Sequence, residues 1–106
     1  MEIKPKEITK EIVSTIFSDK FPNAELKFGY VTIPVGERLP PEGTTSHQEH
    51  EYSYIIKGEL IGESAGKPYE IKAGEASYIP AGEPHWCINK GDTPCELVYA
   101  LLETEQ

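Results

Sequence analysis

The chain of 106 residues predicts an all-β fold, an antiparallel jelly roll or double-stranded β-helix barrel with one short N-terminal helix. Three observations carry that expectation. Beyond position 24, short runs rich in Val, Ile, Tyr and Phe are punctuated by Gly and Pro. Apolar residues recur at helical spacing only near the start. Internal repeats, low-complexity tracts and linkers are absent, so a single domain over 1–106 is expected.

Ile8, Ile12, Val13, Ile16 and Phe17 fall on one helical face between Pro5 and Pro22, which predicts a helix over about 6–20 despite its β-branched residues. The barrel is expected over about 24–103. Ala24 to Pro34 alternates well enough for a strand, and Pro40-Pro41 then forces a loop over 36–43. Glu51 to Glu63 predicts one long strand, with Gly58 and Gly62 where it can bend. Tyr52, Tyr54 and Ile56 face away from Glu51 on that strand, toward a dimer surface or a covering N-terminal segment. A turn at 64–67 leads to Pro68–Lys72, Ala76–Ile79 is a short strand, and His85 opens another. Cys95 to Leu102 is apolar on both faces, as suits a strand covered on both sides.

Composition narrows the partners. Ten Lys and Arg stand against 18 Asp and Glu, a net charge of −8, which argues against nucleic acid and anionic membrane surfaces and for a small-molecule ligand or another protein. No apolar stretch approaches membrane-spanning length, and no apolar region follows the first charges, so a cytoplasmic location is expected. Two cysteines make no disulfide framework. A hairpin centred on Gly91 would set Cys87 opposite Cys95, within reach of a bond, although free thiols are expected in a reducing interior.

The chemistry sits in two clusters. Gly74, five residues, Pro80, one residue, Gly82, two residues, His85, three residues and Asn89 form the downstream cluster. On a period of two, His85, Cys87 and Asn89 share one strand face, while Trp86 and Ile88 share the other. The upstream cluster is Thr45-Ser46-His47-Gln48-Glu49-His50-Glu51, with Gly58 beyond it. If that segment is extended, Glu49 shares the face of Thr45, His47 and Glu51, and His50 points the other way.

In this order and spacing the two clusters resemble the conserved motifs of the cupin superfamily, over about Thr45 to Asn89. The resemblance implies the jelly roll, a metal held by side chains inside it, and a homodimer. Matched residue by residue, it places ligands at His47, Glu51 and His85. The remaining ligand histidine falls on Thr45, whose hydroxyl is a poor ligand and better suited to holding a water. Two imidazoles and a carboxylate suit a facial site for one divalent ion, with Fe, Ni, Mn and Zn as candidates. Thr45, Glu49, His50, Tyr78, Cys87 and Asn89 are candidates for the rest of the pocket, with Glu49, His50 and Tyr78 as possible acid–base helpers.

Two plainer readings compete. The three residues can instead form a metal-free hydrogen-bonded cluster, or the upstream run can be a solvated loop. Two functional classes also stay open: a metalloenzyme acting on a small organic substrate (dioxygenase, isomerase or lyase type), and a non-catalytic module that senses, stores or scaffolds a metal or small ligand.

Overall fold

The computed structural model describes residues 1–7 and 9–105. The expected helix is not there. Val13–Phe21 is a strand, β1, paired along its length with β2 (Ala24–Ile33) across the tight turn at Pro22-Asn23. Ile8, the first residue of the expected helical stripe, lies outside the described residues. β-Branched Val13, Thr15 and Ile16 fit a pleated ladder better than a short helix, and pairing with β2 decides the matter. A register shift between Thr15 and Phe17 moves the stripe from the inner face to the outer one, so a run with helical spacing is accommodated in a strand by one extra residue. Among the described residues no helix is long and apolar enough to cross a membrane.

The remaining strands are β3 (Arg38–Leu39), β4 (His50–Lys57), β5 (Glu59–Ser64), β6 (Lys67–Lys72), β7 (Ala76–Ile79), β8 (His85–Ile88) and β9 (Cys95–Thr104). They form two sheets, ordered β1-β2-β9-β4-β7 and β3-β8-β5-β6, with every pairing antiparallel. These sheets face each other without closing into a barrel; β7 and β6 are free edges of their respective sheets. The strand expected over 51–63 is broken at Gly58, where φ of +87° turns the chain out of one sheet and into the other.

Alternation builds the core. Val31 and Ile33 of β2, Ile55 of β4, Leu60 of β5, Ile71 of β6 and Cys95, Leu97 and Tyr99 of β9 point inward and pack together. β9 is central in its sheet, flanked by β2 and β4, as its apolar character on both faces predicts.

The Gly91 hairpin is not formed. β8 and β9 belong to different sheets: Cys87 pairs with Leu39 and Gly62, while Cys95 pairs with Ile33. Both cysteines are free. Asn89 explains the turn that separates them. Its Nδ2 donates to the carbonyls of Ile33 and Thr93, each at 2.9 Å, and its Oδ1 accepts from the Gly91 amide at 2.9 Å. This fully buried side chain satisfies three backbone groups where the chain crosses between sheets.

Burial pushes both thiols up from 9.0 to about 11, helped by the charge of Glu51 at Cys87 and of Glu96 at Cys95. The native protein therefore keeps protons that the unfolded chain releases. Their contribution to stability is complete below pH 9.0 and is lost as pH rises toward about 11. In metal-free protein at pH 8, iodoacetamide should modify both cysteines roughly a hundredfold more slowly than after unfolding in denaturant, as read by mass spectrometry. Rapid modification of the native protein would show that these thiols are not enclosed.

Candidate metal centre

The site is assembled around the first residue of β8. Thr45 makes an isolated antiparallel bridge with His85: the Thr45 amide donates to the His85 carbonyl at 3.0 Å, and the His85 amide to the Thr45 carbonyl at 2.9 Å. Ser64 of β5 pairs with His85 from the other side. The Gly82 amide donates to the His47 carbonyl at 2.7 Å, so the loop before β4 is tied to the turn before β8. β4 begins at His50, and its alternation sends Glu51 and Ser53 inward beside the buried Ile55.

His47, Glu51 and His85 thereby offer one imidazole nitrogen or carboxylate oxygen each, all within 4.8 Å of one another. Both imidazoles are oriented from behind. His47 Nδ1 lies 2.9 Å from the Glu49 carbonyl, and His85 Nδ1 lies 2.8 Å from the Glu83 carbonyl. A carbonyl oxygen only accepts, so each Nδ1 carries the proton and each Nε2 is left with its lone pair when the ring is neutral. His47 Nε2 sits 3.4 Å from Glu51 Oε1, and the two rings meet edge to face with centroids 5.2 Å apart. Two nitrogen lone pairs and a carboxylate in one small space repel one another unless a cation joins them. This donor set, with its backbone-held tautomers, fits a divalent metal ion.

The structure sorts the other candidates. Thr45 and Cys87 line the same cavity as the three donors. Glu49 is not among the lining residues; its carboxylate oxygens lie 3.8 Å from His47 Nδ1 and 4.0 Å from Lys27 Nζ. His50 turns outward: its Nδ1 and the Tyr78 hydroxyl are 2.7 Å apart, and the Tyr78 ring packs on Tyr52 with centroids 4.9 Å apart. Alternation on β4 points His50 away from Glu51, on the wrong side of the sheet for an acid–base helper; Tyr78, although its ring packs on Tyr52, lines the cavity at the free edge of β7. Asn89 is not part of the pocket, for its polar atoms are consumed by the crossover.

Three cavity residues escape a reading by motif. Ser64 and Glu83 line the cavity and bond to each other, Ser64 Oγ donating to Glu83 Oε2. Tyr69 of β6 also lines it, its hydroxyl donating to the Trp86 carbonyl at 3.3 Å. Burial, with added repulsion from Cys87 and Glu51, raises the Tyr69 pKa well above the usual phenol range, so this group stays protonated. The one sequence signal for Glu83 was its position two residues before His85; Ser64 and Tyr69 reach the site through strand pairing.

Comparison with known proteins agrees with this architecture. The cupin domain family matches residues 29–101. An oxalate-binding protein of Thermotoga maritima is 26% identical over 96% of this chain and 93% of its own length. The tetracenomycin polyketide synthase protein TcmJ of Streptomyces glaucescens is 28% identical over 61% of this chain, which spans 46% of that protein. Among solved structures, a predicted oxalate decarboxylase from Thermotoga maritima superposes with a TM-score of 0.63 at 24% identity, covering 87% of this chain and 92% of that one.

Gly62 is required for the cavity wall. A Cβ at this position would collide with the Trp86 carbonyl and come within 2.9 Å of the Tyr69 hydroxyl and 3.0 Å of the Cys87 Cα. Backbone on one side cannot yield, so Gly62→Ala is expected to cost about 1–3 kcal/mol by overpacking. Urea denaturation of the variant checks this, and unchanged stability would mean that β5 and β8 are not packed this closely.

Proposed function

This chain belongs to the cupin domain family, and on that premise we propose that His47, Glu51 and His85 hold one divalent metal ion whose remaining positions take a small organic molecule. The observation that carries the reading is the convergence of the three donor atoms within 4.8 Å, with both Nδ1 protons committed to backbone carbonyls. The oxalate-binding relative supports a small oxygen-rich ligand. When bound, the metal supplies Lewis acidity and open coordination positions; the ligand set is the one that suits iron(II), with nickel, manganese and zinc as the other candidates. Around it, Thr45 offers a hydroxyl at the cavity wall, Tyr69 holds a proton, and Glu83 is a carboxylate inside the same cavity that can accept one.

A non-catalytic module that stores or senses the same metal uses the same three ligands, and Thr45 discriminates the two. It faces His85 across the bridge, so Thr45→His adds a third imidazole, and with it a fourth ligand, at the cavity. An enzyme that needs the open position loses turnover, whereas a store gains metal affinity.

The chain is expected to work as a homodimer through the outer face of β4 and β7. Tyr52, Tyr54, Ile56 and Tyr78 are each 46–49% exposed there, and none is charged in a chain of net charge −8, so a second copy can approach without like-charge repulsion. Tyr54→Glu should convert a dimer to a monomer in sedimentation equilibrium. A wild-type monomer at micromolar concentration would exclude this interface.

Elemental analysis of protein purified without a histidine tag tests the metal centre. One equivalent of metal is expected in the wild type and almost none in His85→Ala. Free metal at about a hundred times its Kd should stabilise the wild type by ~2.7 kcal/mol and leave the variant unchanged. Absence of metal, with none taken up on addition, would leave the cluster as a hydrogen-bonded pocket.

A further inference from the structure

The cavity that opens from the three donors is much larger than a metal and a few waters require. Its volume is about 650 Å³, within the range of pockets that enclose drug-sized molecules. Polar groups gather at one end, where Thr45, His47, Glu51, Ser64, Glu83 and His85 lie together. Elsewhere the lining is mostly aliphatic, from Val31, Ile33, Ile55, Leu60, Ile71 and Leu97, with Ser53, Ser77, Glu70 and Glu75 among them. Residues 69–71 of β6, Glu75 and residues 76–79 of β7 line it as well, so the gap between the two unpaired sheet edges is part of the same space.

Charge limits what can fill it. Among the described residues no Lys or Arg lines this cavity, and the cations nearest to it have other partners. Lys27 reaches Glu49 at 4.0 Å, Lys72 reaches Glu70 at 3.3 Å, and Arg38 lies over the Trp86 ring at 4.3 Å while donating to the Pro40 carbonyl at 2.8 Å. A divalent ion bound by Glu51 and two neutral imidazoles keeps one net positive charge. That neutralises one anionic oxygen; a second would be left without a cation in a cavity already lined by Glu70, Glu75 and Glu83, which is costly.

We infer that the ligand of this site is a neutral or singly charged oxygen donor carried on an apolar body of bicyclic aromatic size, rather than a compact dianion. The head occupies the polar end beside the donors, and the body fills the aliphatic space between the sheets. This rests on the metal centre proposed above for the head and on the cavity alone for the body.

Isothermal titration calorimetry of the metal-loaded protein compares three probes: oxalate, a compact dianion; salicylate, a singly charged donor on one ring; and 1-hydroxy-2-naphthoate, the same head on two rings. Metal content is measured after each titration, so that stripping is not scored as binding. Hydroxynaphthoate is expected to bind roughly tenfold or more tighter than salicylate, from the added buried apolar surface, with oxalate weakest. Ser53→Lys, on the inner face of β4, should raise oxalate affinity roughly tenfold by supplying the missing cation, with unchanged metal content. If that variant does not fold, Ser77→Lys on the edge strand β7 serves the same purpose. Oxalate binding as tightly as hydroxynaphthoate in the wild type would overturn the ligand class while leaving the metal centre standing. If the protein takes up no metal, the metal reading fails by itself; hydroxynaphthoate then still binds ahead of oxalate if the inference about the body holds, and equal or absent binding of all three overturns it.

Discussion

The pairing of His85 with Thr45 on one side and Ser64 on the other is the constraint on which the site depends. It joins three segments that are far apart in sequence: the loop before β4, the end of β5 and the start of β8. Once those backbones are hydrogen-bonded, His47 and Glu51 have little freedom to be anywhere but beside His85. The carbonyls of Glu49 and Glu83, each two residues from the imidazole whose hydrogen bond it accepts, then set both rings at no cost in long-range packing. A local device thus orients the ligands, and a nonlocal one brings them together.

Two sheets that face each other without closing leave space between them. Close to the Asn89 crossover that space is filled by Ile33, Ile55 and Cys95, which are at most 2% exposed. Toward β8 and the free edges of β6 and β7 it becomes the cavity. The arrangement separates polar from apolar surface within one interior, so polar groups are concentrated where a ligand head can satisfy them. Among the described residues no buried side-chain nitrogen or oxygen lacks a partner, which is the condition for such an interior to be stable.

The outer face of the larger sheet is divided in the same manner. Over β1 and β2 the N-terminal segment covers part of it, with Lys4 Nζ 4.9 Å above the Phe17 ring and Lys6 Nζ 4.1 Å above Tyr30. Over β4 and β7 none of the described residues replaces that cover, and Tyr52, Tyr54 and Tyr78 remain about half exposed. The N-terminal segment considered as a cover for Tyr52, Tyr54 and Ile56 thus lies over Phe17 and Tyr30 instead.

Much of this was legible in the residues. Period-two alternation identified β2, the two faces of β8 and the outward direction of Tyr52 and Tyr54, because side-chain direction along a strand is a local property; turn residues bounded β7, and a run apolar on both faces marked β9. Motif spacing singled out His47, Glu51 and His85 for the same reason: each lies at a turn or strand start whose Gly and Pro residues are local signals. Pairing was beyond it. Whether Val13–Phe21 became helix or strand depended on a partner, β2, and the helical spacing lost to a ladder of hydrogen bonds. Whether Cys87 met Cys95 depended on Asn89 tying the chain across to Ile33 and Thr93. Ser64 and Tyr69 joined the site only through the register of β5, β6 and β8. The sequence by itself determined which faces are apolar and which residues can ligate; the tertiary structure decided which strands are neighbours, because hydrogen-bond pairing between distant segments is settled by the energy of the whole assembly and not by any one of them.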